Sequence, residues 1–423
     1  MIKTKSINFT PHQYDNTNIQ DELIDINKNL LSKNIVDFEN LEFNDIAFNY
    51  SISGITKIIN MCKNLQDNCE DRLEELFIFA PSYHINNILS ALNFLYGESY
   101  QYKKNSIKIT FFEHYESSDS LQQKLNYLNS KIKRNYGIIV LGELDKNKYF
   151  TSFVKKVFAD VQSSLGPRFL KNNIFIIGKY HTVNLFKNIK INPYNIFVTP
   201  DNISDNNAFF TENTLFPLAL IGVDILKLVK GYKETSLNST SIDLENNLAL
   251  KLASNLFHDL YNFGLDRTHL NIIGSESKRL KNILDIHLFN QNIFNISRDI
   301  VSIGFYGNEN IHTQGQMLID GNKNKSIIYF VVDGEDIDYQ PSSEVDVVDG
   351  FYNLEINSLN KLKNDSYVVF RDYLSSFSAN IKILEISLSD YSEETLGNLI
   401  ALIYYLNIYY ACLVGENPFI NHK

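Results

Sequence analysis

Leu76-Phe77-Ile78-Phe79-Ala80 is followed almost at once by a stretch, 85–96, whose apolar residues recur at helical spacing. An uninterrupted apolar run of strand length, apolar on both faces, suits a strand buried in a parallel sheet. The pair reads as a βα unit. The pattern returns in the runs at 107–112, 137–141, 173–177 and 196–198, with helix-like segments at 120–132 and 150–161 between them. Such alternation predicts a parallel sheet covered by helices.

A second series follows the polar stretch Ser236-Leu237-Asn238-Ser239-Thr240-Ser241, read as a connection. A long helix is predicted over 244–261, then strands at 270–273, 300–303, 326–332 and 381–386. Before the first series, Leu23, Ile26, Leu30 and Leu31, and later the segment 55–65, have helical spacing behind a polar lead. The predicted layout is therefore a helical N-terminal arm (1–70), two αβα domains (71–235 and 236–386) and a C-terminal helical tail (387–423).

Composition bounds the function. The chain has 423 residues, 44% of them hydrophobic, enough for one large core or two moderate ones. A formal net charge of −10 argues against a nucleic-acid partner, which would need a positive face. Cys62, Cys69 and Cys412 have no C-x-x-C spacing, so neither a disulfide framework nor a zinc site is predicted, and buried reduced thiols are expected. The start Met1-Ile2-Lys3-Thr4-Lys5-Ser6 lacks the apolar stretch of a signal peptide. The apolar segment 396–414 is interrupted by Asn398 and Asn407 and reads as a buried terminal helix, without membrane insertion. A cytoplasmic location is expected. No nucleotide loop, dinucleotide fingerprint, H-E-x-x-H or G-x-S-x-G occurs, so no cofactor is implied.

Four ordered blocks carry a resemblance. Ile311-His312-Thr313-Gln314-Gly315-Gln316-Met317-Leu318-Ile319-Asp320-Gly321 is similar to the L-H-S-x-G-Q-x-x-x-D-G block of bacterial glucose-6-phosphate isomerases. Leu215-Phe216-Pro217-Leu218-Ala219-Leu220-Ile221-Gly222-Val223-Asp224-Ile225 resembles their L-L-P-x-A-x-A-G-x-D-I. Thr395-Leu396-Gly397 and Gly415-Glu416-Asn417-Pro418-Phe419 resemble their T-L-G and G-x-N-P-F. The resemblance implies two sugar-isomerase (SIS) domains of flavodoxin-like type flanked by helices. It also implies a sugar phosphate as ligand and assembly as a homodimer, to which unlike protein subunits are the alternative.

The loops that should carry the chemistry depart from that family. Its first phosphate loop, G-I-G-G-S-x-x-G, corresponds to Ile78-Phe79-Ala80-Pro81-Ser82-Tyr83-His84-Ile85. Ser82 survives there, either as a remnant of the loop or as a helix N-cap. The second loop, S-x-S-G-T-T-x-E, corresponds to Gly142-Glu143-Leu144-Asp145-Lys146-Asn147-Lys148-Tyr149, in which Lys146 and Lys148 either attract an anion or belong to a solvated turn of mixed charge. The arginine of P-D-N-x-G-G-R-F-S falls on Asn206.

Aldose–ketose isomerisation moves a proton between neighbouring carbons, so a carboxylate must accept it and return it. The family's base glutamate, in F-G-E-S, falls on Gln291 in Phe289-Asn290-Gln291-Asn292. An amide cannot shuttle that proton. Glu276 and Glu309 are the nearby carboxylates in sequence. His312 matches the family's ring-opening histidine, and Lys423 either corresponds to the lysine of its final G-V-E-x-x-K or belongs to a simple solvated C-terminus. The expectation is a catalytically degenerate homologue kept as a structural or interaction subunit. The alternatives are an active divergent isomerase of glucose 6-phosphate and fructose 6-phosphate, and a sugar-phosphate sensor without turnover.

Overall fold

Apolar runs become strands where the sequence predicts them, because a run buried on both faces has no better place than the middle of a helix-covered sheet. The computed structural model describes residues 2–3, 7–9, 20–41, 52–97, 100, 106–131, 133–241, 243, 246–261, 269–295, 300–321, 325–334, 338–339, 358–377 and 382–419. In chain order the strands are β1 (Ile2–Lys3), β2 (Ile7–Phe9), β3 (Glu75–Ala80), β4 (Lys108–Glu113), β5 (Tyr136–Leu141), β6 (Ile174–Gly178), β7 (Ile196–Val198), β8 (His269–Ser275), β9 (Ile300–Tyr306), β10 (Lys325–Val332) and β11 (Lys382–Leu388).

Residues divide into two units, one running Asp37–Lys230, the other joining the chain up to Val36 with the chain from Gly231 onward. In the continuous unit the sheet order is β4-β3-β5-β6-β7, with every pairing parallel. Every residue of β3 and β5 is buried. Phe77, Phe79, Ile138, Val140 and Ile176 meet Val154, Val157 and Phe158 in one core, where the Phe79 and Phe112 rings stack 4.3 Å apart. Two helices matter for the site. The first, α1 (Ser82–Tyr96), follows β3; the second, α2 (Lys148–Leu165), follows β5 and is capped by Asn147, whose side chain accepts from Phe150 N at 3.0 Å. Such a cap contributes about 1 kcal/mol.

In the discontinuous unit the order is β1-β2-β11-β10-β8-β9, parallel through β11, β10, β8 and β9, with β2 antiparallel to β11. Three helices, α3 (Leu248–Tyr261), α4 (Lys281–Phe294) and α5 (Glu393–Val414), cover it. Ser392 caps α5 by accepting from Thr395 N, and Gly415 ends it at φ +80°. Although α5 is long and apolar enough to cross a membrane, 94% of its most apolar stretch is buried inside the protein. It is a core helix, and a helix apolar all round must be enclosed. Its two asparagines face inward: Asn398 accepts from the Thr235 hydroxyl at 2.7 Å and Asn407 from the Gln291 amide at 2.8 Å.

Two expectations about organisation change. The arm over 1–70 is not one helical piece: it opens with β1 and β2, and its helix Gln20–Leu31 belongs to the discontinuous unit whereas Ile52–Asn68 belongs to the other. The stretch read as a connection lies mostly in a helix, Ile225–Ser239, because Thr235, Ser236 and Ser239 are fully buried and Thr235 is bonded to Asn398. The tail from 387 carries α5, buried in the second core as its sequence predicts.

Candidate functional site

In an open parallel sheet the chain reverses its winding direction at one point, and the loops leaving the carboxyl ends of the two strands there part to form a crevice. In the continuous unit that point lies between β3 and β5. The loops concerned are Pro81-Ser82-Tyr83-His84 and Gly142-Glu143. A crevice opens there and extends over the ends of β6 and β7, lined by His84, Glu143, Lys179, Thr199, Thr211 and Asn213 among others.

The turn after β5 sets the geometry. Gly142 has φ +78°, and a Cβ there would stand 2.5 Å from His84 Cδ2, so only glycine lets the imidazole pack against this turn. Beyond it the Glu143 side chain turns inward and is 8% exposed. Its two carboxylate oxygens form ion pairs with Lys146 and Lys179. Burial pushes the Glu143 carboxyl upward, but the hydrogen bonds and charge of the two lysines outweigh burial and hold it below the ordinary glutamate range. His84 is 2% exposed, and burial drives its imidazole down to about 3 against the pull of Glu143. Its Nδ1 has no hydrogen-bond partner, and neither has Oδ1 of Asn213, itself 4% exposed.

The predicted residues of this unit take definite places. Ser82 is the first residue of α1, not its cap: Pro81 holds the cap position and makes no side-chain bond. The Ser82 hydroxyl instead donates to Glu113. Lys146 sits in the short turn Leu144–Lys146, paired with Glu143, and Lys148 begins α2 on the exposed surface. Asn206 lies in the 3-10 turn Asp205–Phe210, with its side chain outside the described residues. Sequence reading missed His84, Lys179 and Asn213. The signal for Lys179 was its position just past the end of β6, where a strand delivers side chains to the crevice.

In the discontinuous unit the equivalent reversal lies between β8 and β10. The crevice there is lined by Ser275, Glu276, Ser277, Val332, Lys363 and Tyr367 among others. Glu276 accepts from the Tyr329 hydroxyl at 2.6 Å, and burial holds its carboxyl above the usual range.

Gln291 is not at that crevice. It is fully buried on α4 and bonded to Asn407 of α5, on the same helix as His287, whose imidazole burial pushes down to about 4. His312 occupies the π-turn Ile311–Gly315 and is exposed, so the two do not come together. The side chain of Glu309 and all of Lys423 lie outside the described residues.

No protein-family model matches the chain. Glucose-6-phosphate isomerase of Mycoplasmopsis pulmonis is 25% identical over 400 residues, covering 94% of this chain and 90% of that protein. The protein of the same name from Mycoplasmopsis synoviae is 22% identical over 409 residues, covering 95% and 90%. Among solved structures, a hypothetical protein from Thermus thermophilus superposes with a TM-score of 0.79 at 15% identity over 96% of this chain and 92% of its own. A glucose-6-phosphate isomerase from Chlamydia trachomatis superposes with a TM-score of 0.68 at 10% identity, over 99% and 86%. Similarity along nearly the whole chain, together with two parallel sheets each wound in flavodoxin-like order, makes this chain similar in sequence and fold to glucose-6-phosphate isomerases.

Proposed function

We propose that the chain is a glucose-6-phosphate isomerase homologue that has lost turnover and serves as a structural or interaction subunit, as a homodimer or with unlike protein chains, in the cytoplasm. The observation that carries this reading is Gln291. It stands where the family's base is expected, is fully buried, and has its amide engaged by Asn407. A residue without a carboxylate and without access to a cleft cannot move a proton on a substrate. The loop that corresponds to the family's phosphate loop offers Glu143 and Lys146 in place of hydroxyl donors, with Lys179 from the end of β6 completing the pairing, which supports the same conclusion.

An active divergent isomerase has one observation in its favour, the buried carboxylate of Glu143 in the cleft. Two lysines hold that carboxylate ionised, which makes it a poor proton acceptor near neutral pH. The two readings separate in a coupled assay of purified protein with fructose 6-phosphate. No glucose 6-phosphate above background is expected. Robust turnover that His312→Ala abolishes would establish the active reading instead.

A further inference from the structure

We infer that one helix-covered face of the continuous unit, over β5, β6 and β7, is a docking surface for an acidic segment of an unlike protein chain. Exposed lysines along the face and three exposed tyrosines at the carboxyl end of the sheet hold that segment. The inference deepens the reading of the chain as an interaction subunit and rests on it.

The charge of this face runs against that of the chain. From 144 to 191 the sequence carries nine lysines and arginines against two aspartates and no glutamate, a surplus of seven positive charges in a chain of net charge −10. The connections from β5 to β6 and from β6 to β7 step in the same direction along the sheet, and right-handed crossovers place both on one face. They share a core there, where Val154 and Val157 of α2 meet Phe169 and Leu170 of the short helix Pro167–Asn173, together with Phe186. The polar residues of the same connections lie outside that core. Lys148, Lys155, Lys156, Arg168, Lys171 and Lys187 are exposed, and none forms an ion pair with a described residue. Lys146 and Lys179, by contrast, are paired with Glu143.

The tyrosines stand on neighbouring loops. Tyr115 follows β4, Tyr149 is the second residue of α2, and Tyr180 opens the short helix Tyr180–Asn184; they are 86%, 92% and 58% exposed. Two hydrogen bonds tie these loops side by side. The Asn147 amide donates to His114 O at 3.2 Å, and the Thr182 hydroxyl donates to Asp145 Oδ1 at 2.9 Å. A single exposed ring needs no explanation, whereas three on loops fixed to one another offer apolar contact at a low cost in conformational entropy.

A protein segment bearing carboxylates and apolar side chains complements both features. Nucleic acids and anionic membranes also carry negative charge, but they extend well beyond one face, and the surplus on this face leaves −17 on the rest of the chain. At physiological salt exposed charges act over about 8 Å, so a short acidic segment meets the lysines beneath it and little of that negative remainder. A long polyanion meets both.

The test is fluorescence anisotropy of the full chain with three labelled probes: a short peptide of glutamate, leucine and serine, an oligothymidylate, and vesicles of phosphatidylserine in phosphatidylcholine. The peptide is expected to bind most tightly of the three, and to weaken roughly tenfold when salt is raised from about 0.05 M to about 0.5 M. The double variants Lys155→Glu with Lys156→Glu, and Tyr149→Ser with Tyr180→Ser, should each weaken the peptide at least tenfold with unfolding midpoints unchanged. Lys361→Glu, exposed in the other unit, should leave binding as it is. No peptide binding at low salt overturns the inference, as does tighter binding of oligothymidylate or vesicles, or an unchanged affinity in either double variant. The wild-type order of the three probes decides the matter alone if a variant does not fold. Failure of the peptide to bind a chain without isomerase turnover sinks only this inference, whereas turnover sinks the proposed loss of activity whether or not the peptide binds.

Discussion

The Gln291 side-chain amide donates to Asn407 Oδ1 at 2.8 Å, joining two buried helices across 116 positions of sequence. Gln291→Leu should leave a buried acceptor unsatisfied and cost roughly 1–3 kcal/mol in urea unfolding. Adding Asn407→Leu should recover part of that loss, since replacing both partners by apolar groups is far milder than replacing one. Gln291→Glu should destabilise without restoring isomerase activity, because it places a carboxylate in a fully buried position. Activity appearing in that variant would contradict the buried placement.

Two glycines with similar backbone angles should respond differently to a methyl group. Gly142 and Gly415 have φ of +78° and +80°, but only at Gly142 would a Cβ collide, 2.5 Å from the His84 ring. Gly415→Ala should cost about 1 kcal/mol for the backbone alone. Gly142→Ala adds a packing clash and should cost roughly 2–4 kcal/mol. Unfolding midpoints of the two variants provide the comparison.

Acid should weaken the fold through two buried histidines. Burial holds His287 at about 4 and His84 at about 3, below the 6.5 of a free imidazole. In the unfolded chain both bind protons below about pH 6.5, while the folded chain resists protonation until near pH 4, so unfolding takes up protons in that window. Stability is therefore full above pH 6.5 and falls as the pH drops towards 4. Glu143, held below its ordinary range, adds a further loss only at lower pH. Urea titrations at stepped pH should show this slope, and His287→Gln should flatten part of it between pH 6.5 and 5.

His312→Ala should leave the unfolding midpoint where it is. The side chain is exposed on the π-turn, and surface substitutions away from caps, clefts and ion pairs are close to neutral. A marked drop would show that this histidine supports the structure in a way its exposure does not suggest.

The sheets were legible because they are built from continuous apolar runs, which local sequence carries in full. Nine predicted strands appear within about three residues of their expected bounds. What local sequence does not carry is long-range satisfaction of polar groups. Thr235, Ser236 and Ser239 look like linker residues until Asn398 supplies a partner for Thr235 inside the core. The β1 and β2 strands are too short to show a period, and β2 joins the sheet through its antiparallel pairing with β11. At the candidate site the mixed-charge turn after β5 was read correctly for composition, yet its solvated reading fails for Glu143. The side chain of that residue turns inward and Lys179, from the next strand end, completes its pairing. The motif around His312 identified the family, but its exposed position separates it from buried Gln291.

The hydroxyl of Tyr409 lies 2.9 Å from Asn27 Oδ1, 382 residues away, and β2 pairs with β11 near the opposite end of the sequence. During synthesis the continuous unit leaves the ribosome with all its strands together and can fold while translation proceeds. The other unit must keep its first helix and strands waiting until the last helix has been made. Translation arrested before residue 393 would thus release one finished sheet and one whose opening strands and first helix lack the closing helix of their core.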